Sequence, residues 1–288
     1  MDAYLDIVKK VLQKGVKTGN RTGVNTVAVF GEKFEHNMAD GFPLLTTKKM
    51  RYEGVFSELE FFIKGLTDKR WLQERNNHIW DDWCNPEKVP YGHDKETQLG
   101  MTEEPDLGPI YGFQWRHFSA EYKGLGIDYS RQGVDQLADL VDTIKKTPTN
   151  RRMIVSAWNP AQLHQMALPP CHYQFQVNVA EEKLNLAWTQ RSVDTMLGLP
   201  FNIGSYALLL HLLAKETGHK EGKLIGFLGD THIYENHVEK AKEQLTRSTY
   251  PLPSIKTEPF KSIFDWKYTD TTVVNYQHHP FIKFPIAV

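Results

Sequence analysis

The sequence predicts an α+β fold in one domain with loop insertions. Segments with apolar residues at helical spacing are interspersed with β-branched segments that alternate between apolar and polar residues. Two of the alternating segments, 173–179 and 184–191, are separated by a short turn and therefore predict a β-hairpin. No internal repeat, low-complexity tract or convincing linker divides the 288 residues, so a single domain is the simplest interpretation.

The first half of the chain predicts, in order, a helix at 2–17, a strand at 27–30, a helix at 55–64 and a helix at 134–146. Gly15 and Gly65 are stop signals for the first two helices, and Thr147-Pro148 ends the third. Two polar segments with little periodicity, at about 84–106 and 119–131, are expected to be variable surface insertions.

The second half of the chain predicts a buried central helix after the hairpin. This helix covers 205–215, the most hydrophobic helical segment in the sequence. A short strand at 224–228 and a helix at 235–246 follow, and the C-terminal portion is strand-like and interrupted by prolines. Asn202 lies at the approach to the central helix, where an N-cap is an ordinary role for asparagine.

The charge balance argues against several classes of partner. Lys and Arg total 34 against 35 Asp and Glu, a formal net charge of −1, so no global field favours nucleic acid or a membrane surface. No segment approaches the roughly 18 consecutive apolar residues of a membrane span, and residues 1–10 lack the apolar core of a signal peptide. We therefore expect a cytoplasmic protein that needs neither DNA nor a membrane.

The cysteine and histidine content argues against disulfides and metals. Cys84 and Cys171 are too few for a disulfide framework and are expected to be free thiols in the cytoplasm. The 12 histidines are scattered, without an HExxH motif or a Cys/His ladder, so no metal site is predicted.

Cys171 is the strongest single candidate for chemistry. It follows two prolines and lies at the entrance to a predicted strand, beside His172. A thiol in this setting is either a nucleophile or a buried small hydrophobic side chain. The second strand of the hairpin should bring several polar side chains near it: Gln190, Arg191, Ser192 and Asp194. A neighbouring cation favours the thiolate, so Arg191, and not His172, is the expected activator.

Other polar residues fit a small anionic ligand. Guanidinium groups that can hold a phosphate belong to Arg21, Arg151, Arg152 and Arg191. Asn202 offers an amide donor and acceptor, and His232 and Tyr234 suit a sugar hydroxyl. Glu58 has apolar neighbours at helical spacing, so its pKa can rise. Each residue also has an ordinary structural interpretation, but together they predict a nucleotide site with a nucleophilic cysteine.

Five ordered motifs resemble those of the folate-dependent thymidylate synthase family. They are Ala167-Leu168-Pro169-Pro170-Cys171-His172, Gln190-Arg191-Ser192-Val193-Asp194, and the segments 197–203, 229–234 and 282–288. The similarity extends from the Arg21-Thr22-Gly23 loop to the last residue.

The resemblance implies reductive methylation of dUMP to dTMP, with 5,10-methylenetetrahydrofolate as one-carbon donor and reductant. Cys171 would add to C6 of the uracil ring, which turns C5 into a carbon nucleophile. The resemblance also implies an obligate homodimer, with a large, mixed, twisted β-sheet at the dimer interface and helices covering the sheet.

The resemblance further implies how dUMP is held. In the family's pattern Arg21, Arg191 and Ser192 of one subunit bind the phosphate, and Arg151 and Arg152 reach in from the other subunit. The other substrate-binding residues that it implies are Gln190, Asn202 at the pyrimidine O4 and N3 edge, and His232 and Tyr234 at the 3′-hydroxyl.

Catalytic and folate-binding roles follow from the same resemblance. Glu58 would organise proton transfers at O4 and the folate, and Tyr111 would help to remove the C5 proton. The residues implied at the folate are Lys48, Trp80, Trp83, Asp194 and Ala287. Ala287 belongs to the segment 286–288, which would close over both substrates and exclude water.

Two other functions stay open on the sequence alone. Relatives that hydroxymethylate dUMP share most of the fold and let water capture the same intermediate, whereas a non-catalytic nucleotide-binding regulator would use the thiol only structurally. The chain departs from common family residues at positions such as Phe113 and Thr189, but no chemical role is lost. Retention of Trp80 and of the Ala287-Val288 tail favours methyl transfer with reduction.

Overall fold

A six-stranded mixed sheet forms the centre of the fold. The computed structural model describes residues 1–20, 22–92 and 94–286. The strands of the large sheet are β1 (Val16–Thr18), β2 (Thr26–Asn37), β3 (Ile154–Ser156), β4 (His172–Ala180), β5 (Lys183–Asp194) and β6 (Lys220–Tyr234). Their order across the sheet is β1-β2-β6-β5-β4-β3, and β5 and β6 are the one parallel pair among these neighbours.

Helices and a small second sheet complete the described architecture. The helices are α1 (Asp2–Lys14), α2 (Tyr52–Ile63), α3 (Arg70–Gln73), α4 (Lys95–Glu103), α5 (Tyr111–His117), α6 (Gln136–Lys146), α7 (Gly198–Thr217) and α8 (Val238–Leu245). Strands β7 (Ser254–Thr257) and β8 (Thr271–Val274) form an antiparallel pair. The predicted α+β fold with a large mixed sheet covered by helices is confirmed.

The predicted hairpin is confirmed as β4 and β5. The two strands pair antiparallel from His172↔Gln190 to Ala180↔Lys183. Glu181 and Glu182, which connect them, have φ values of 51° and 60°. Two consecutive left-handed residues match the twist of the flanking strands, as in two-residue hairpin turns. The hairpin therefore fixes the register that returns residue 191 to the vicinity of Cys171.

Helix α7 connects the parallel strands β5 and β6 and is buried on almost every side. It is longer than predicted because it begins at Gly198 and not at residue 205. Pro200 falls in its first turn, where a missing N–H breaks no intrahelical hydrogen bond. Asn202 therefore lies inside the helix, and its interpretation as an N-cap is wrong.

Strand β6 is also longer than predicted and extends to Tyr234. Its glycines interrupt the expected strand pattern, but close packing requires them. A Cβ at Gly226 would lie 2.5 Å from the Trp188 ring, and one at Gly229 would lie 2.9 Å from the Arg191 carbonyl oxygen. The alternation of a strand places Asp230, His232 and Tyr234 on one side of β6.

The segment 84–106 contains regular structure. Helix α4 occupies 95–103, and Asp94 caps it because its carboxylate accepts hydrogen bonds from the backbone N–H groups of Glu96 and Thr97. The low periodicity of this segment did not indicate a helix, so α4 was missed. The segment 119–131 contains no helix or strand and is tied to the domain by the Tyr122 hydroxyl, 2.5 Å from Asp106 Oδ1.

The two faces of the large sheet differ in exposure. One face packs against α7 and α1, and its central residues are buried, as Trp188 and Leu224 show. In a single copy of the chain, alternate residues on the other face of the sheet are exposed to solvent. Phe227, for example, is 49% exposed. None of the helices in the described residues has the length and apolarity to cross a bilayer.

Candidate active site

Cys171 lies immediately before β4, and hydrogen bonds hold its backbone from both sides. Its N–H donates to the Tyr111 hydroxyl at 2.8 Å, and its carbonyl accepts from the Arg191 N–H at 2.8 Å. The residue is half-buried and lines a cleft. The thiol is therefore fixed in position and accessible, as a nucleophile must be.

The Arg191 guanidinium lies beside this thiol. Its Nη2 lies 3.9 Å from Cys171 Sγ. Nε donates to the Pro170 carbonyl at 3.0 Å and Nη2 donates to the Pro169 carbonyl at 2.7 Å. The two prolines present these carbonyls at the entrance to the strand, and the resulting hydrogen bonds keep the guanidinium beside the sulfur. Positive charge at this distance favours the thiolate.

His172 does not serve the thiol as a base. The ring is buried, stacks on Tyr111 with centroids 4.4 Å apart, and shares a 2.9 Å hydrogen bond through Nδ1 with the Tyr206 hydroxyl. Burial lowers the pKa of His172 to about 3, so the ring is neutral near pH 7. It packs under the site, against Tyr111 and Tyr206.

The cleft has a volume of about 990 Å³, which is at the upper end of the range of small-molecule sites. Polar groups on its surface belong to Cys171, Arg191, Ser192, Asp230, His232 and Tyr234. Aromatic and other apolar surface comes from Trp83, Tyr91, Met101, Trp158, Leu163 and Leu168. The predicted residues of β5 and β6 thus meet Cys171 in one cavity, because the parallel strands end side by side.

Asp230 and Trp158 line the cleft but were not predicted from the sequence. Asp230 Oδ1 lies 2.7 Å from His232 Nδ1. The two-residue spacing of Asp230, His232 and Tyr234 was the available signal, and it was missed because β6 was predicted to stop at residue 228. Trp158 lies with its ring centroid 5.6 Å from the Arg191 guanidinium, and no sequence pattern indicated this contact.

Gln190 and Asn202 form a buried hydrogen-bonded pair beside the cleft. Gln190 Nε2 donates to Asn202 Oδ1 and to the Ser192 carbonyl, both at 3.0 Å. Gln190 Oε1 accepts from the indole N–H of Trp188 at 3.2 Å. Because Trp188 fixes its amide orientation, Gln190 holds the Asn202 side chain in one position.

Glu58 lies in α2 among aromatic side chains. The indole N–H of Trp80 donates to its Oε1 at 2.8 Å, and the Trp80 and Tyr111 rings are 6.2 Å apart. Although part of the side chain remains accessible to solvent, protein surrounds the carboxylate, and this desolvation raises the pKa of Glu58 to about 7. The predicted rise in pKa is confirmed, and such a carboxyl can both give and take a proton near neutral pH.

Lys48 and Asp194 lie together near the start of α7. Lys48 is buried, its Nζ donates to the Met196 carbonyl at 2.5 Å, and burial lowers its pKa to about 8. Asp194 Oδ1 accepts from the backbone N–H groups of Met196 and Leu197. The Lys48 ammonium is also 4.7 Å from the Phe284 ring, so it faces the C-terminal segment and not the cleft.

Arg151 and Arg152 are not near Cys171 of the same chain. Both are exposed, and Arg151 lines a groove on the open face of the sheet with Gln176 and Ile225. Arg21 and Ala287 lie outside the described residues.

The described residues contain no group of three or more His, Cys, Asp or Glu side chains that could hold a metal ion. The side chains in and beside the cleft offer a thiol, a guanidinium, a carboxyl, imidazole, hydroxyl and amide groups.

A thiol fixed beside a guanidinium, in a cleft with hydroxyl and imidazole groups, is typical of enzymes that bind a polar small molecule and use a cysteine as nucleophile. Comparison with known sequences makes the assignment specific. The chain belongs to the thymidylate synthase family, whose model matches residues 2–288. The family resemblance recognised from the motifs is confirmed.

One relative is the bifunctional dihydrofolate reductase-thymidylate synthase of Paramecium tetraurelia. It is 47% identical over 285 residues, which cover 99% of this chain and 61% of the relative. The chain thus spans less than two thirds of the relative's length.

Proposed function

We propose that the protein methylates dUMP to dTMP with 5,10-methylenetetrahydrofolate as the cosubstrate. The observation that carries the proposal is the placement of the Cys171 thiol 3.9 Å from the Arg191 guanidinium in a cleft that also contains His232. Membership of the thymidylate synthase family supports it. The proposal treats residues 1–288 as one domain of this family, with 84–106 and 119–131 as its variable insertions.

The cleft offers separate groups for each part of dUMP. Arg191 and Ser192 provide donors for the phosphate, together with Arg21 and the partner's arginines. His232 and Tyr234 contact the 3′-hydroxyl. Asn202, held by Gln190, recognises the O4 and N3 edge of the base. When the phosphate of dUMP binds at Arg191, the uracil ring can extend toward the Cys171 thiol.

The reaction begins with addition of the Cys171 thiolate to C6 of uracil, so that an S–C6 bond forms and C5 gains the electron pair. The cosubstrate supplies the one-carbon unit for C5 and the hydride that reduces it to methyl, leaving dihydrofolate. The C5 proton leaves to an acceptor at the site, and the S–C6 bond breaks to release dTMP and the free thiolate. The half-protonated Glu58 relays protons at O4 and toward the cosubstrate.

Tyr111 has a constrained part in this scheme. Burial raises its pKa well above the ordinary value, so the phenol remains protonated. Its hydroxyl accepts a hydrogen bond from the Cys171 N–H. We assign it to orient the acceptor of the C5 proton, since it is not itself a phenolate base.

The residues around the cleft suit a folate. Trp83 and Tyr91 meet edge to face at 6.1 Å, and with Met101 they form an apolar wall on which flat pterin and benzoyl rings can pack. Asp194 is available to the pterin, and Trp80 lies next to Glu58. A contact between Lys48 and the glutamyl tail requires its ammonium to leave the Met196 carbonyl.

The proposal includes a cytoplasmic homodimer in which Arg151 and Arg152 reach the partner's site. Two observations support this arrangement. Both arginines lie away from Cys171 of their own chain, and the open face of the sheet exposes Phe227 and leaves Ile225 only half-buried. A monomer in analytical ultracentrifugation at assay concentrations would contradict this part of the proposal.

A comparison of the two cysteines tests the nucleophile. Cys171→Ser replaces the thiol by a far less acidic hydroxyl, so we expect dTMP formation to fall by about 10³-fold or more while dUMP still binds. Cys84→Ser is the matched control, because Cys84 is buried and its pKa is raised by burial, which keeps that thiol unreactive. Steady-state kinetics and dUMP titration measure both effects. Equal activity in the two variants would contradict the proposal and favour a binding protein with a structural thiol.

A further inference from the structure

Asp230 lies in the cleft, and the reaction steps above do not use its carboxylate. It is the first of the three β6 residues that line the cavity, followed by His232 and Tyr234. The Asp230 side chain is 54% exposed, whereas that of His232 is only 10% exposed. An exposed carboxylate beside a proposed phosphate site is electrostatically unfavourable unless it performs another task.

The contact between Asp230 and His232 suggests that task. Asp230 Oδ1 is 2.7 Å from His232 Nδ1. The His232 ring also meets the Tyr234 ring nearly at a right angle, with centroids 5.3 Å apart, which restricts its rotation. The backbone beneath is fixed as well, because the His232 carbonyl accepts from the Thr195 N–H at 2.9 Å.

A carboxylate at Nδ1 determines which imidazole nitrogen carries the proton. A neutral imidazole has one N–H donor and one acceptor nitrogen, and a carboxylate only accepts. The proton therefore lies on Nδ1, toward Asp230, and Nε2 keeps its lone pair. Among the described residues, the hydrogen bond of the His232 ring is the one through Nδ1, and Nε2 makes none.

We propose that Asp230 is a positioning residue that holds His232 as the Nδ1–H tautomer, so that Nε2 accepts a hydrogen bond from a substrate hydroxyl. The inference rests on the proposed function, which places the 3′-hydroxyl of dUMP at His232. A free 3′-hydroxyl can donate to this lone pair. A 3′-phosphate or ester oxygen can only accept, so Asp230 makes the site selective for free mononucleotides over 3′-linked ones.

Substrate analogues separate this role from a general structural one. The experiment measures kcat/KM for dUMP and for 2′,3′-dideoxyuridine 5′-monophosphate, which lacks only the 3′-hydroxyl. Asp230→Ala should lower kcat/KM for dUMP by roughly tenfold but change the value for the analogue by less than about twofold, since the analogue makes no bond to lose. Asp230→Asn should stay within about threefold of the wild type on both, because its amide oxygen still accepts from Nδ1–H.

Asp142→Ala is the matched control, since Asp142 is an exposed carboxylate paired with Lys146 on α6, away from the cleft. Asp230→Ser is a second truncation in case the alanine variant folds poorly. If Asp230→Ala lowers kcat/KM equally for both substrates, or for neither, the inference is wrong. Absence of dTMP with the wild type would overturn the proposed function and this inference with it. If the wild type makes dTMP normally, but Asp230→Ala leaves the ratio of kcat/KM for dUMP to kcat/KM for the analogue unchanged, the inference alone is overturned.

Discussion

At the residue scale, the reactivity of Cys171 depends on how firmly its surroundings are fixed. Hydrogen bonds to Tyr111 and Arg191 hold its backbone, and the carbonyls of Pro169 and Pro170 hold the Arg191 guanidinium. The thiol thus has a permanent cation nearby and needs no histidine base. This environment suits a thiolate that attacks carbon and later leaves it.

Glu58 gives a pH-dependent prediction for stability. Its pKa is about 7 in the folded protein and ordinarily 4.5, so between these pH values the folded state binds more protons than the unfolded state. The contribution of Glu58 to stability therefore falls as the pH rises through this window. Glu58→Gln removes the titration and keeps an acceptor for the Trp80 indole. The unfolding free energy of the variant minus that of the wild type should therefore be about 2 kcal/mol larger at pH 8 than at pH 5.

Urea unfolding of both proteins at pH 5 and pH 8 measures this difference. The same change in unfolding free energy at the two pH values would show that Glu58 is not desolvated as described. The variant should also lose dTMP formation, because glutamine cannot transfer a proton.

Single residues could be predicted where their chemistry is unusual and missed where it depends on geometry. Cys171, Arg191 and His232 were predicted from residue type and motif. The 3.9 Å separation of thiol and guanidinium could not be, because it depends on the Pro169 and Pro170 carbonyls. Asp230 was missed because its role depends on the strand that continues through it.

At the element scale, one buried lysine organises the wall of the cleft. Lys69 is 1% exposed, and its ammonium donates to the carbonyls of Asp81, Trp83 and Met101 at 3.1, 2.9 and 2.6 Å. The ammonium has three donors, and each finds an acceptor in the segment 81–101. Trp83 and Met101 are part of the proposed folate surface, so Lys69 positions that surface through hydrogen bonds to its backbone carbonyls.

Loss of this ammonium should affect one substrate more than the other. Lys69→Met keeps the apolar stem and removes the donors, so Trp83 and Met101 should move while Cys171 and Arg191 stay in place. We expect the KM for 5,10-methylenetetrahydrofolate to rise roughly tenfold and dUMP affinity to change less than about twofold.

Lys123→Met is the control for the loss of a lysine, since Lys123 is exposed and paired with Glu121. Steady-state kinetics for both substrates, with thermal unfolding to check the fold, give the readout. A parallel loss for both substrates would indicate general destabilisation and not positioning of the wall.

The elements differed in how well the sequence predicted them. The hairpin of β4 and β5 was predicted because alternation and a short turn are local signals. The start of α7 was placed too late because Pro200 resembles a helix breaker although it lies in the first turn. Strand β6 was cut short because its glycines are explained only by packing against Trp188 and Arg191 of the neighbouring strand. Local patterns cannot report such contacts.

At the scale of the whole molecule, the parallel pair of β5 and β6 is the main determinant of the site. It aligns Ser192 with Asp230 and Asp194 with His232 across the two strands. Helix α7, which connects these strands, brings Asn202 against Gln190. Residues far apart in the chain thereby form one cleft, and its guanidinium, imidazole and hydroxyl groups suit the small, anionic, hydroxylated ligand that we propose. The assembly of two such chains through the open face of the sheet stays a proposal.

The central claim is that this cleft converts dUMP and 5,10-methylenetetrahydrofolate to dTMP and dihydrofolate. The most direct test incubates the protein with both compounds, identifies the nucleotide by mass spectrometry and follows dihydrofolate by its absorbance. We expect dTMP and dihydrofolate in equal amounts. Hydroxymethyl-dUMP without dihydrofolate, or unchanged dUMP, would contradict it.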